Sequence, residues 1–156
     1  MPRATPAWAR DDALPSRRVA CYEGPVFRAI VLLAHGSPDP DWGAPVQQLG
    51  ARIQAIAPGV AVRDVYLSHG DEGLAAALAE LAGVGHREVE VIACVLSAGG
   101  RHRKRDIPAL VERMQARFSA LTLTLRDGAL GEDARVIEAM AIAALGTVRT
   151  SSSSDA

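Results

Sequence analysis

The sequence predicts an α/β fold: a three-layer, doubly wound, mainly parallel four-stranded sheet of order 2-1-3-4. Three observations predict it. Short, almost wholly apolar runs alternate four times with longer amphipathic stretches, so the chain reads β-α repeated without internal sequence repeats. The first run, Val26–Ala34, is fully apolar after Arg28, as expected for a strand buried on both faces of a parallel sheet. Aromatic residues make up only 4% of the chain against 49% hydrophobic residues, which favours a core of small aliphatics over an aromatic-rich all-β domain. The 156 residues are enough for one domain and too few for two ordinary ones.

The elements follow in order. Residues 1–25 mix Pro, Arg and Asp without a sustained period and read as a flexible N-terminal extension, with Trp8 a residue that could dock on the domain or on a partner. The first strand, Val26–Ala34, ends at His35-Gly36-Ser37. Gly36, Pro38 and Pro40 make His35–Gly43 a loop, and Pro45 opens a helix with Val46, Leu49, Ile53 and Ile56 at helical spacing, stopped by Pro58-Gly59. The second strand is Val60–Leu67, followed by the loop Ser68-His69-Gly70-Asp71 and a helix with Leu74, Leu78 and Leu81 on one face. Arg87–Val95 is the third strand. Leu96–Arg105 is its loop, and Ile107–Phe118 is a helix with Ile107, Leu110, Val111 and Met114 inward. Asp106 fits an N-cap, and Pro108 sits in the first turn, where a missing N–H costs little. The fourth strand, Leu121–Leu125, leads through Arg126–Gly131 to the helix Glu132–Leu145, apolar at Val136, Ile137, Met140 and Ala144. The domain thus spans residues 26–147, and residues 148–156 form a serine-rich tail expected to be disordered.

Composition narrows the function. The formal net charge is −1, so no global field points to nucleic acid. Cys21 and Cys94 lie far apart with no CxxC, which argues against a disulfide framework or a thiolate zinc site. No apolar run approaches the roughly 18 residues of a membrane span, and no apolar core of a secretory leader follows Arg3 and Arg10. The expected address is the cytoplasm. No GxGxxG or GxxxxGK[ST] motif supports a dinucleotide or P-loop site.

The chemistry sits in two loops. With strand order 2-1-3-4 the topological switch point lies between the first and third strands, and ligands bind at the carboxyl ends there. The loops that meet at that point carry His35 and His102. Neighbouring strands lie roughly 5 Å apart, so side chains leaving their ends can share one ion. Neutral imidazole ligates divalent transition metals and accepts a proton near neutral pH. Two imidazoles facing an open crevice leave coordination positions free, which suits a metal in transit better than a structural ion. Arg101, Arg103, Lys104 and Arg105 make the same mouth basic. A basic mouth repels a bare cation and favours an anion. A ligand that joins a metal site to several carboxylates satisfies both demands. Taken singly, either histidine, the RHRKR run or the Gly99-Gly100 pair reads as ordinary surface or turn; the functional reading rests on their conjunction.

The stretches Leu32-Leu33-Ala34-His35-Gly36-Ser37, with Asp39-Pro40 after it, and Ala98-Gly99-Gly100-Arg101-His102-Arg103-Lys104-Arg105-Asp106-Ile107-Pro108 resemble the CbiX/SirB-type class II chelatases, which insert a divalent metal into sirohydrochlorin. The second stretch is the more specific, and the weaker likeness extends over about Arg28 to Gly146. The resemblance implies a chelatase-like fold and a lyase activity serving cobalamin or sirohaem synthesis. It implies that His35 and His102 bind the metal and take the pyrrole protons. It implies that Ser37, Gly99, Gly100, Arg101, Arg103, Lys104 and Arg105 contact the carboxylate-rich tetrapyrrole. It also implies that the short chain works as a homodimer. The metal, Co2+ or Fe2+ with Ni2+ a further candidate, is substrate, and no permanently bound cofactor is expected.

The sequence departs from the family pattern at Pro38, where many relatives carry arginine, and at Ala93-Cys94-Val95-Leu96, where relatives usually have a proline and bulkier residues. Where relatives often place a glutamate after the second strand, it has His69 as a third candidate ligand and Glu72 as the weaker option. Two rival readings are a carrier that binds metal or tetrapyrrole without turnover and a phosphoryl-transfer enzyme with His35 as nucleophile. The second lacks a visible partner acid and a phosphate cradle.

Overall fold

A single sheet of four parallel strands organises the computed structural model, which describes residues 29–97 and 105–146. The strands are β1 (Ala29–Ala34), β2 (Ala61–Tyr66), β3 (Glu88–Ala93) and β4 (Thr122–Leu125), in the order β2-β1-β3-β4. The helices are α1 (Ala44–Ile56), α2 (Gly70–Gly83), α3 (Ile107–Arg117) and α4 (Ala134–Leu145). The doubly wound topology and strand order agree with the sequence reading. Expectations for residues 1–28, 98–104 and 147–156 fall outside the described residues. They include the start of the first strand, Gly99, Gly100, Arg101, His102, Arg103 and Lys104.

Register places the carboxyl ends of β1 and β3 side by side. Leu33 of β1 pairs with Ala93 of β3 on one side and Val65 of β2 on the other. The Cys94 N–H then donates to the Leu33 carbonyl (2.8 Å), and the Ser68 N–H to that of His35 (3.1 Å). All three chains therefore leave the sheet together at its carboxyl edge.

Strand alternation divides the core. Ala29, Val31 and Leu33 of β1 and Val89, Val91 and Ala93 of β3 face α2 and α3, where they meet Leu74, Leu78, Leu81, Ile107, Leu110 and Met114. Leu32, Val62 and Ile92 face the other way, toward Val46, Leu49 and Ile53 of α1. On that second face β3 also presents Glu90, which is 6% exposed and takes Arg126 in a two-pronged ion pair of 2.7 and 2.6 Å. A buried carboxylate needs such a partner, because desolvation without one is expensive.

The structure adds to the sequence reading at α4 and corrects it at Asp106. The apolar stripe of α4 is not a core face: no residue of the helix is buried, and Ile137, Met140, Ile142 and Leu145 are 48–68% exposed. The sheet offers the helix no apolar floor, since Glu88, Thr122 and Thr124 stay exposed around the Glu90–Arg126 pair and α4 packs mainly on the turn that precedes it. Asp106 does not cap α3. Its backbone is already helical (φ −74°, ψ −42°), and its side chain makes no capping bond. Among the described residues no helix is long and apolar enough to cross a membrane.

Candidate active site

The loop after β1 is shaped by one glycine. Gly36 has φ +89°, and a side chain there would collide with Ser68. Only glycine tolerates both the left-handed backbone and the contact. The tight turn brings His35 up against the start of the β2–α2 connection. Beyond it, the Ser37 Oγ accepts the Asp39 N–H (3.1 Å) and the Asp39 carboxylate accepts the Asp41 N–H (3.0 Å), stiffening the path into α1.

His35 lines a cleft of about 290 Å3 with Gly36, Leu67, Ser68, Gly70, Asp71, Asp106, Leu110 and Arg113. The cleft lies at the carboxyl ends of β1 and β2 and against the first turns of α3. Its floor is apolar and its rim is ionic, the usual build of a site that orients a charged ligand. The Arg113 guanidinium grips the Asp71 carboxylate through two bonds of 2.8 Å, which joins α2 to α3 across the rim. Those hydrogen bonds hold the Asp71 carboxyl below its usual range and push the Arg113 guanidinium above its own. Asp71 therefore faces the cleft as an anion. A larger depression of about 520 Å3, lined by Ala57–Val60 and Val84–His86, lies at the opposite, amino-terminal end of the strands. Its one titratable group is His86, and it offers no comparable constellation.

The predicted site residues divide as follows. His35 is exposed at the cleft. Ser37 sits on the same loop with its hydroxyl turned to the Asp39 backbone. Arg105 is exposed at the approach to α3. His69 lies next to the cleft-lining Ser68 and Gly70, yet its ring packs edge-on against Tyr66 at 5.7 Å, and Tyr66 packs likewise on Trp42 at 6.5 Å. Glu72 is engaged by Arg117 at 3.0 Å, away from the cleft. Among the described residues no three His, Cys, Asp or Glu side chains cluster to hold a metal.

Cys94 follows β3 close to this edge. Burial pushes its thiol up to about 11, against a smaller opposing pull from Arg126. Burial thus disfavours the thiolate near neutral pH.

Sequence reasoning passed over Asp71 and Arg113, and it gave Asp106 only a capping role. A signal was present: Asp106, Leu110 and Arg113 recur at i, i+4 and i+7, one stripe of a helix that opens at the switch point.

A sequence profile of the CbiX family matches residues 29–144 of this chain. The chain belongs to the CbiX family. CbiX is a chelatase family, which makes this protein a metal chelatase. Among solved structures, the chain is similar to the putative cobalamin (vitamin B12) biosynthesis CbiX protein from Marinobacter aquaeolei VT8. The likeness has a TM-score of 0.64 at 24% identity, over 76% of this chain and 92% of that one. At that identity the likeness speaks for the fold. No curated protein matches the sequence.

Proposed function

We propose that this CbiX protein is a sirohydrochlorin chelatase, inserting Co2+ for cobalamin synthesis or Fe2+ for sirohaem synthesis. The observation that carries the reading is the pairing of β1 with β3, which sends the His35 loop and the chain leading to His102 out of neighbouring strands at the switch point. The domain is assigned to residues 26–147 and the compartment to the cytoplasm.

The reaction exchanges two pyrrole N–H protons for one divalent ion, so the site must present the metal and remove the protons. In this reading His35 and His102 do both, as ligands to the incoming ion and then as general bases. Asp106 gives the described wall of the cleft a carboxyl group toward the cation, while the charge of Asp71 is offset by Arg113. The basic stretch 101–105 meets the carboxylates of the macrocycle through charge-assisted bonds, with Ser37, Gly99 and Gly100 shaping the contact. His69, through rotation off Tyr66, is a candidate third ligand. The two charge signs then serve two substrates: acid toward the metal, base toward the tetrapyrrole. Imidazole accepts cobalt, iron and nickel alike, so supply in the cell and ring geometry choose between them.

A second copy of the chain is part of this reading. The exposed apolar stripe of α4 is what a homodimer would cover, since a helix free of charge from Ala139 to Leu145 is costly to leave in water.

The test is metal insertion followed by the visible spectrum of sirohydrochlorin, with Co2+, Fe2+ and Ni2+ in turn. His35→Ala and His102→Ala should each slow the reaction by about a hundredfold, the size of a lost general base. Unimpaired rates in both variants contradict the proposal. Tight binding of tetrapyrrole without turnover in the wild type would replace it with the carrier reading.

A further inference from the structure

One cation of the cleft has donors to spare. Arg113 holds Asp71 side-on: its Nε donates to one carboxylate oxygen and its Nη2 to the other, both at 2.8 Å. A guanidinium carries five N–H donors, and a side-on grip uses one on Nε and one on Nη2. Among the described residues Nη1 bonds to no acceptor. The Nη1–Nη2 edge is thus a second fork, matched to another carboxylate.

Its surroundings suit that use. Arg113 lines the cleft with His35, and its side chain is 54% exposed, so a ligand can reach it. Asp71 fixes the plane of the guanidinium in advance, which lowers the ordering cost of a further bond. Asp106, the carboxylate of the same stripe, lies seven residues earlier, about 10 Å along the helix axis. The α3 wall of the cleft therefore has a carboxyl end and a guanidinium end. Its volume of about 290 Å3 is at the small end for ligand pockets, so it seats one arm of a large ligand rather than the whole of it.

One turn further along, Arg117 makes the matching tie between the same two helices, its Nη1 on Glu72 at 3.0 Å. Its side chain is about as open, at 50%, yet it lies off the cleft. Both arginines join α2 to α3, and only Arg113 faces the site.

We infer that Arg113 is a substrate-binding residue: with Asp71 on one edge of its guanidinium, it takes a peripheral carboxylate of the tetrapyrrole on the other. The inference rests on the reading of the substrate as sirohydrochlorin. The Asp71–Arg113 pair is neutral as a whole. Recognition therefore comes from the geometry of the remaining donors, not from net charge.

The dissociation constant of metal-free sirohydrochlorin, read from its visible spectrum on titration with the full-length protein, tests this. Arg113→Ala weakens binding about tenfold, the size of one charge-assisted bond at a half-exposed site. Arg113→Lys keeps the charge and loses the fork, so it recovers only part of that loss. Arg117→Ala removes the equivalent helix tie and binds as the wild type does. Equal weakening in the two alanine variants, or none in either, overturns the inference, and so does full recovery in Arg113→Lys. If Arg113→Ala does not fold, Arg113→Lys decides alone, since it keeps an ion pair with Asp71: binding weaker than wild type supports the fork, and equal binding overturns it. A wild type that binds sirohydrochlorin but inserts no metal refutes the chelatase reading, while the pattern of binding still decides the role of Arg113. A wild type that binds no sirohydrochlorin overturns both.

Discussion

The two faces of the sheet are built to different standards. Toward α2 and α3 the strands present Val31, Leu33, Val89 and Val91 to a continuous wall of Leu74, Leu78, Leu81, Ile107 and Met114, all buried. The Asp71–Arg113 and Glu72–Arg117 bonds then tie the two helices together outside it. Toward α1 and α4 only Leu32, Val62 and Ile92 are buried in the apolar cluster, a buried Glu90–Arg126 pair sits where apolar residues could have gone, and α4 leaves its stripe in water. One face is finished within the chain. The other leaves the apolar stripe of α4 exposed. The cleft belongs to the finished side, where its lining residues are held by packing that does not depend on a partner.

This contrast can be broken most sharply by removing bulk from each face. Leu78→Ala, on the closed face and fully buried, should cost about 2–5 kcal/mol of unfolding free energy through lost burial and the cavity left behind. Chemical denaturation measures it. A cost below about 1 kcal/mol would mean that this core is loose and the contrast false.

A gentler change sharpens the other side. Ile142→Glu, at a residue 61% exposed, places a charge in the α4 stripe. It should leave the chain folded, with a stability change within about 0.5 kcal/mol for the isolated chain. It should also shift the mass in solution from dimer toward monomer, which sedimentation or light scattering reads. A variant that unfolds would show that α4 packs inward, and a wild type already monomeric would remove the second copy from the account.

The same contrast explains what the sequence disclosed. Strand order and the burial of Leu74, Leu78, Leu81, Ile107 and Met114 were legible, because continuous apolar runs and helical periodicity report directly on burial. The fate of α4 was not. An apolar stripe states that a helix has a face to cover, and says nothing of whether the same chain covers it. His35 was legible from its place after a buried strand at a switch point. The Asp71–Arg113 grip was hidden because its partners lie 42 residues apart and meet only once α2 and α3 are packed side by side. The direction of the His69 ring was hidden for a related reason: Tyr66 and Trp42, which hold it, come from the end of β2 and the loop after β1. Asp106 followed a capping pattern, yet the chain turns helical before reaching it, so its side chain is left at the cleft.

The central claim is that His35 and His102 serve one ion. Titrating Co2+ into the full-length protein while following the broadening of the histidine imidazole resonances tests it directly, because paramagnetic broadening falls steeply with distance from the ion. The account predicts that the resonances of residues 35 and 102 respond together, in the same proportion to added metal, while His86 at the far end of the strands is untouched. A response from one of the pair without the other, or from neither, would contradict it.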